Sequence, residues 1–222
     1  MDTPRIGVIH ATPLSMVPFT KAMEAEFPQA HVRHVLDDSL LDDLRAAGAL
    51  TQGLEQRMER LIAHLVADPL DALQFACSGY VPVVDRTAAR LDIPVRKPDE
   101  AMYRELADAG HDHVGILAMV QPALDLAARQ LQHLLDKRSA RTTITMRCVA
   151  EAMDAAQLGD DDELTRMLTA AVNDLSGARV AVVAFAQYSM SPVAETVAEL
   201  AGVPIVTGPR AAARDLRQAF GD

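Results

Sequence analysis

The sequence predicts an α/β protein of two pseudo-symmetric parallel-sheet lobes with the active site in the cleft between them. Three observations carry this reading. Strand-like and helix-like segments alternate along all 222 residues, the two halves repeat each other at a fixed offset, and the loops leaving matching strands hold the residues able to do chemistry. Strands that alternate with helices imply parallel sheets covered on both faces.

Arg5 to Ala11 (RIGVIHA) is a short apolar run halted by Thr12-Pro13, the pattern of a buried strand that ends in a loop. A helix is expected from about Val17 to Phe27. His31 to Leu36 alternates as a half-buried strand does, and Leu40 to Val66 has helical spacing of Leu, Met and Ala, broken at Gly48 or Gly53. Ala72 to Cys77 is the next strand, Val83 to Leu91 a helix, and Ile93-Pro94-Val95 a short strand. The second half repeats the order: strand His113 to Met119, helix Pro122 to Leu135, strand Thr142 to Val149, helix Asp162 to Leu175. A strand at Arg179 to Phe185, a helix at Pro192 to Leu200 and a strand at Pro204 to Val206 complete it. The acidic run Asp160 to Glu163 reads as a helix N-terminus, where the helix dipole favours negative charge. The first lobe is expected over 1–105, with a C-terminal helix at 208–222 packing back on it, and the second over 106–207.

The repeat is detailed. FACSGYVPVVDRTAARLDIPV, from Phe75 to Val95, aligns without a gap on FAQYSMSPVAETVAELAGVPI, from Phe185 to Ile205. Phe75/Phe185, Ala76/Ala186, Pro82/Pro192, Val83/Val193, Ala88/Ala198 and Pro94/Pro204 are identical at a constant offset of 110, and IGVI at Ile6 matches VGIL at Val114 at nearly the same offset. Such self-similarity marks a duplicated unit.

Half of the residues are apolar, enough for a sizeable core. No stretch approaches the roughly 18 uninterrupted apolar residues of a membrane span, and Met1 to Arg5 lacks a basic segment followed by an apolar signal core, so the cytoplasm is the expected compartment. The formal charge of −10, without clustered Lys and Arg, argues against nucleic acid or an anionic membrane as partner. Small molecules and protein partners remain. An acidic chain still binds a carboxylate where backbone N–H groups converge. Cys77 and Cys148 read as reduced thiols and have no paired spacing for a metal such as zinc.

In parallel α/β sheets ligands bind beyond the carboxyl ends of the strands. The repeat identifies two such loops, Cys77-Ser78-Gly79-Tyr80 and Gln187-Tyr188-Ser189-Met190. If the lobes face each other about an approximate two-fold axis, Cys77 lies opposite Gln187. Cys77 sits at a strand-to-helix turn, where a helix N-terminus can lower a thiol's pKa. Cys148, inside a strand with no turn after it, reads as structural. His10, ending the first strand, is either a functional acid or partner of Cys77 or a satisfied structural residue. Thr12 fits a substrate contact or a loop cap. Tyr80 and Tyr188 are proton or hydrogen-bond donors or packed core residues. Ser189 binds a carboxylate or caps the next helix. Thr207 and Arg210 follow the last strand; Arg210 clamps a carboxylate or, the favoured reading, sits in solvent.

The segments IGVIHATP, DDSLL, FACSG, KPDEAM, VGILA, AQYSM and PIVTGPR resemble a branch of the aspartate/glutamate/hydantoin racemase superfamily, which includes arylmalonate decarboxylases and maleate isomerases. The resemblance spans nearly the whole chain. It implies a cofactor-independent enzyme on a small carboxylate, with one thiol taking the α-proton and a second returning it on the opposite face; a homodimer is compatible with the architecture. Carried over by position, Cys77 is the first-half thiol, Ser78 and Gly79 bind the substrate carboxylate, and His10 stands where glutamate racemases have an acidic residue. Gln187 occupies the second thiol's place. Glutamine neither gives up nor takes up a proton near neutral pH, so a two-thiol mechanism cannot run on Cys77 and Gln187. The readings left are an isomerase with one cysteine, a decarboxylase or lyase of a malonate-type acid, and a carboxylate-binding protein without catalysis.

Overall fold

The computed structural model describes residues 3–177 and 179–221. The chain divides into two compact units, 1–98 with 212–222, and 99–211. In the first, β1 (Arg5–His10), β2 (His31–Leu36), β3 (Ala72–Phe75) and β4 (Val95–Arg96) form a parallel sheet in the order β2-β1-β3-β4. Ile6 and Val8 to His10 are buried, because β1 lies between two neighbours and under helices on both faces. The connections are α1 (Met16–Glu26), α2 (Leu40–Ala47), α3 (Gln52–Val66) and α4 (Val81–Ala88). Ile9, Leu65, Leu73, Phe75 and Val83 pack together in the core.

The break in the long helical stretch falls at Gly48, which adopts φ +68 and so closes α2 where a side chain would be strained; Gly53 is inside α3. Thr51 starts α3 by accepting the Leu54 N–H.

In the second unit β5 (His113–Ala118), β6 (Thr143–Cys148), β7 (Val182–Phe185) and β8 (Ile205–Thr207) take the order β6-β5-β7-β8, the same plan again. Ile9 pairs with Phe75 in one sheet as Leu117 pairs with Phe185 in the other. Around this sheet run α5 (Glu100–Ala109), α6 (Gln121–Lys137), α7 (Ala152–Leu158), α8 (Asp161–Ser176) and α9 (Ala194–Ala201). Alternate residues of β5 divide between two cores. Val114, Ile116 and Ala118 meet α5 and α6, while Leu117 meets the side holding Leu168 and Val172. Asp160 begins α8 as expected, accepting the Glu163 N–H at 3.0 Å.

The last helix, α10 (Gly208–Ala219), crosses from the second unit into the first. Its later residues are tied there by Arg96–Asp215 at 2.7 Å, Arg214–Glu26 at 3.2 Å and stacked Phe27 and Phe220. Residues 99–105, expected at the end of the first lobe, belong to the second unit, because Ala101, Met102 and Tyr103 are buried with Val114, Ile116 and Leu131.

Other expectations are corrected. β3 ends at Phe75 rather than Cys77, since its neighbour β4 pairs only with Leu73 and Gln74. β7 starts at Val182, because Arg179 turns with φ 58. Helices α5 and α7 were not anticipated. Among the described residues no helix is long and apolar enough to cross a membrane.

Candidate functional site

Each unit ends its third strand in the same way. After β3 the Ala76 N–H donates to Ile9 O at 3.0 Å, and Cys77, with extended φ −143 and ψ 117, opens a 3-10 turn over Ser78–Tyr80 that runs into α4. After β7 the Ala186 N–H donates to Leu117 O at 2.9 Å, and Gln187, with φ −146 and ψ 136, opens a 3-10 turn over Tyr188–Val193 that runs into α9. Cys77 and Gln187 are therefore equivalent in backbone and in sequence. Cys77, Ser78 and Gly79 are half-buried. The first N–H groups of a helical turn have no acceptor inside the turn, so those of Ser78 and Gly79 are available to an anion beside the thiol.

The segment after β2 covers this turn. Tyr80 is wholly buried and donates its hydroxyl to Leu40 O at 2.8 Å, and Leu41 N–H donates to Ala11 O at 3.2 Å. Burial first, and then the neighbouring Cys77, push the Tyr80 phenol up to about 12. Its hydroxyl is used in the core, so Tyr80 is a packing residue and not the proton donor considered from sequence. A Cβ on Gly79 would run into Leu44 Cδ2 and stand 3.8 Å from Cys77 Sγ, which places Leu44 directly on the turn. Arg57 of α3 grips both carboxylate oxygens of Asp37, reaches Asp43 at 2.6 Å and Ser39 Oγ at 2.5 Å, and so fixes the segment from below.

His10 is fully buried, with Nδ1 2.7 Å from Ser15 Oγ and Nε2 2.9 Å from His34 Nδ1. Ser15 Oγ also donates to Thr12 O at 3.0 Å, and His34 Nε2 lies 3.3 Å from Thr20 Oγ1, so the two imidazoles share one hydrogen-bonded chain running from Ser15 to Thr20. Parallel register explains the meeting. Val8 pairs with His34, and His10 lies two residues on along the same face. Burial, and after it the charge of His34, lower the His10 pKa to about 3. His10 is neutral with both nitrogens engaged, which corrects the expectation that it holds Cys77 as thiolate or supplies an acid. It anchors the Thr12–Ser15 turn. Thr12 caps that turn by accepting the Leu14 N–H at 3.4 Å, leaving its hydroxyl proton for another partner.

In the second unit Gln187 Oε1 accepts the N–H of buried Met119, just past β5, which fixes the carboxamide and turns its NH2 away as a donor. Tyr188 is buried and its phenol is raised well above its usual value, by burial first and then by Asp99. Ser189 is half-buried and makes no cap to the turn it sits in. Thr207, ending β8, is buried with no partner for its hydroxyl among the described residues. Asp99 lies against this corner: a Cβ on Gly208 would strike Asp99 Oδ1 and stand 2.6 Å from Tyr188 Cε1. Burial pushes the Asp99 carboxyl up to about 7. Arg210 pairs with Glu195 at 2.6 Å in an exposed position, in line with the solvent reading. Cys148 ends edge strand β6, its pKa raised by burial and then by Glu151.

Sequence reasoning missed Ser15, His34, Leu44, Arg57 and Asp99. The period-2 face shared by His34 and its strand was readable, but its register against β1 was not. DDSLL flagged the Asp37 loop without indicating what it covers.

A family model described as Asp/Glu/Hydantoin racemase matches residues 6–216. Solved structures are similar throughout. A Picrophilus torridus aspartate racemase has a TM-score of 0.71 at 16% identity, covering 98% of this chain and 94% of that one. A glutamate racemase from Bacillus anthracis has 0.75 at 14%, covering 99% and 82%. A point mutant of arylmalonate decarboxylase has 0.64 at 16%, covering 98% and 94%. At these identities the likeness establishes the fold alone. A search of curated sequences finds no match.

Proposed function

The chain belongs to the Asp/Glu/hydantoin racemase family, and from that premise we propose that it is a cofactor-independent, racemase-like isomerase in which Cys77 moves the proton at the α-carbon of a small carboxylate. The observation that carries this is the equivalence of Cys77 and Gln187, two matched strand-end turns of which only one bears a group able to exchange a proton. The carboxylate rests on the N–H groups of Ser78 and Gly79 with Thr12 in reach of a hydroxyl contact. Thiolate Sγ takes the α-proton and the C–H electron pair passes into the enolate stabilised by those N–H groups; return of the proton from S–H restores the starting carbon with solvent exchange, and a water proton reaching the enolate's other face, with the thiol proton passing to solvent, gives inversion.

A lone thiol delivers a proton to one face. That feature supports a second reading, a decarboxylase or lyase of a malonate-type acid in which Cys77 protonates the enolate left by carbon dioxide.

The test is solvent deuterium incorporation at the α-carbon across a panel of small carboxylates, followed by NMR, with Cys77→Ser beside the wild type. Exchange lost in the variant supports the proton-transfer role, and exchange undiminished in it removes that role. Carbon dioxide release from a disubstituted malonate selects the second reading. Thermal stabilisation by carboxylates without turnover selects a binding protein.

A further inference from the structure

We propose that Leu44 is a specificity-determining residue of the Cys77 site and selects a carboxylate with an uncharged, apolar α-substituent over a dicarboxylate. The inference rests on the reading of Cys77 as the reacting group and adds the substrate class.

Leu44 stands on α2 facing the Cys77–Gly79 turn: the point where a Gly79 side chain would begin touches Leu44 and lies 3.8 Å from Cys77 Sγ. Glycine at position 79 makes that approach possible. Leu44 packs with Leu40, Leu41, Cys77 and Tyr80 in one apolar cluster, so the wall beside the sulfur is hydrocarbon. Its position is set by three attachments: Tyr80 to Leu40 O, Leu41 N–H to Ala11 O, and Arg57 to Asp37. The charges around this wall are unfavourable to a second carboxylate. Arg57 is spent on Asp37 and Asp43, a set with one net negative charge, and Arg45 faces Asp42 at 3.4 Å. His10, one strand away, is uncharged. A distal carboxylate placed here would lose water without gaining a cation, whereas an alkyl or aryl group gains contact with Leu44.

The experiment measures protection of Cys77 from iodoacetamide by mass spectrometry, with phenylacetate and isobutyrate as apolar probes and succinate and glutarate as dicarboxylates. Wild type, Leu44→Ala and Leu44→Lys are compared after thermal melts show all three folded, with Cys148 as internal control. The expected result is half-protection of the wild type at concentrations about tenfold lower for phenylacetate than for succinate, a preference reduced in Leu44→Ala and reversed in Leu44→Lys. Equal or better protection by succinate, no protection by any probe, or a preference unchanged in both variants overturns the proposal. Deuterium exchange separates the two claims: exchange without selectivity keeps the isomerase and removes Leu44's role, and selective protection without exchange does the reverse.

Discussion

Lowering the pH from 7 to 5 tests the His10 network through stability rather than activity. Burial and the neighbouring His34 hold folded His10 near pKa 3, while in the unfolded chain it titrates near 6.5. Between those values the unfolded state binds the extra proton, so the contribution is fully present above about 6.5 and is lost as pH falls toward 3. At pH 5 the loss from this one group is about 2 kcal/mol, and by pH 3 about 4 kcal/mol. The assay is urea unfolding followed by far-ultraviolet circular dichroism at pH 7 and pH 5, for wild type and His10→Asn. Asparagine offers one donor and one acceptor group without titrating. Titrating groups away from this contact act in both proteins and cancel in the difference; His34, whose own pKa is lowered by burial, is present in both. The wild type is expected to lose about 2 kcal/mol more than the variant on acidification. Identical pH dependences would refute the argument, because they would mean that His10 takes up its proton in the folded state as easily as in the unfolded one.

Asp99→Asn is expected to show the opposite sign: folded Asp99 titrates near 7, against 3.8 unfolded, so its contribution is present at low pH and is lost as pH rises toward 7, and the wild type gains about 2 kcal/mol more than the variant from pH 7 to 5 in the same unfolding assay. Gly79→Ala pushes Leu44 off the turn, costing about 1 kcal/mol in urea unfolding and speeding alkylation of Cys77 by exposing it. Gln187→Ala leaves the buried Met119 N–H without its acceptor and costs about 1–3 kcal/mol, while Gln187→Glu, which keeps an acceptor there, is expected to retain most of that in thermal melts.

The central strands were legible because β1 and β5 are continuous apolar runs between helices, and the FACSG/AQYSM repeat located the matching turns before any geometry was known. Helix α7 was not legible: AMDAAQL is only seven residues long and three of them are alanine, which carries little periodic signal. Helix α5 follows Pro98 and buries Ala101, Met102, Tyr103, Leu106 and Ala107, an apolar face at helical spacing that EAMYRELADA does carry. Within the site, Cys77 and its turn were readable as a local pattern. The contacts around that turn and the neighbouring strand end, His34 against His10 and Leu44 against Gly79, are separated by 24 and 35 residues, and only strand register and loop packing bring them together.

Two buried groups without a counter-ion among the described residues, His10 in the first unit and Asp99 in the second, respond to pH in opposite directions. Acidification from pH 7 to 5 removes about 2 kcal/mol through His10 and restores about 2 kcal/mol through Asp99. In one cooperative unfolding transition these two effects oppose each other, and the net slope of the wild type is left to the remaining groups, His34 among them. If the units unfold separately, the same groups split the transition as pH falls, with the His10 unit melting earlier and the Asp99 unit later. The single variants distinguish true insensitivity from cancellation, since removing either group exposes the full slope of the other. The duplicated frame thus holds, in equivalent halves, a base denied its proton and an acid that keeps its own. Divergence between the halves lies in side chains set on a shared backbone, as it does for Cys77 and Gln187.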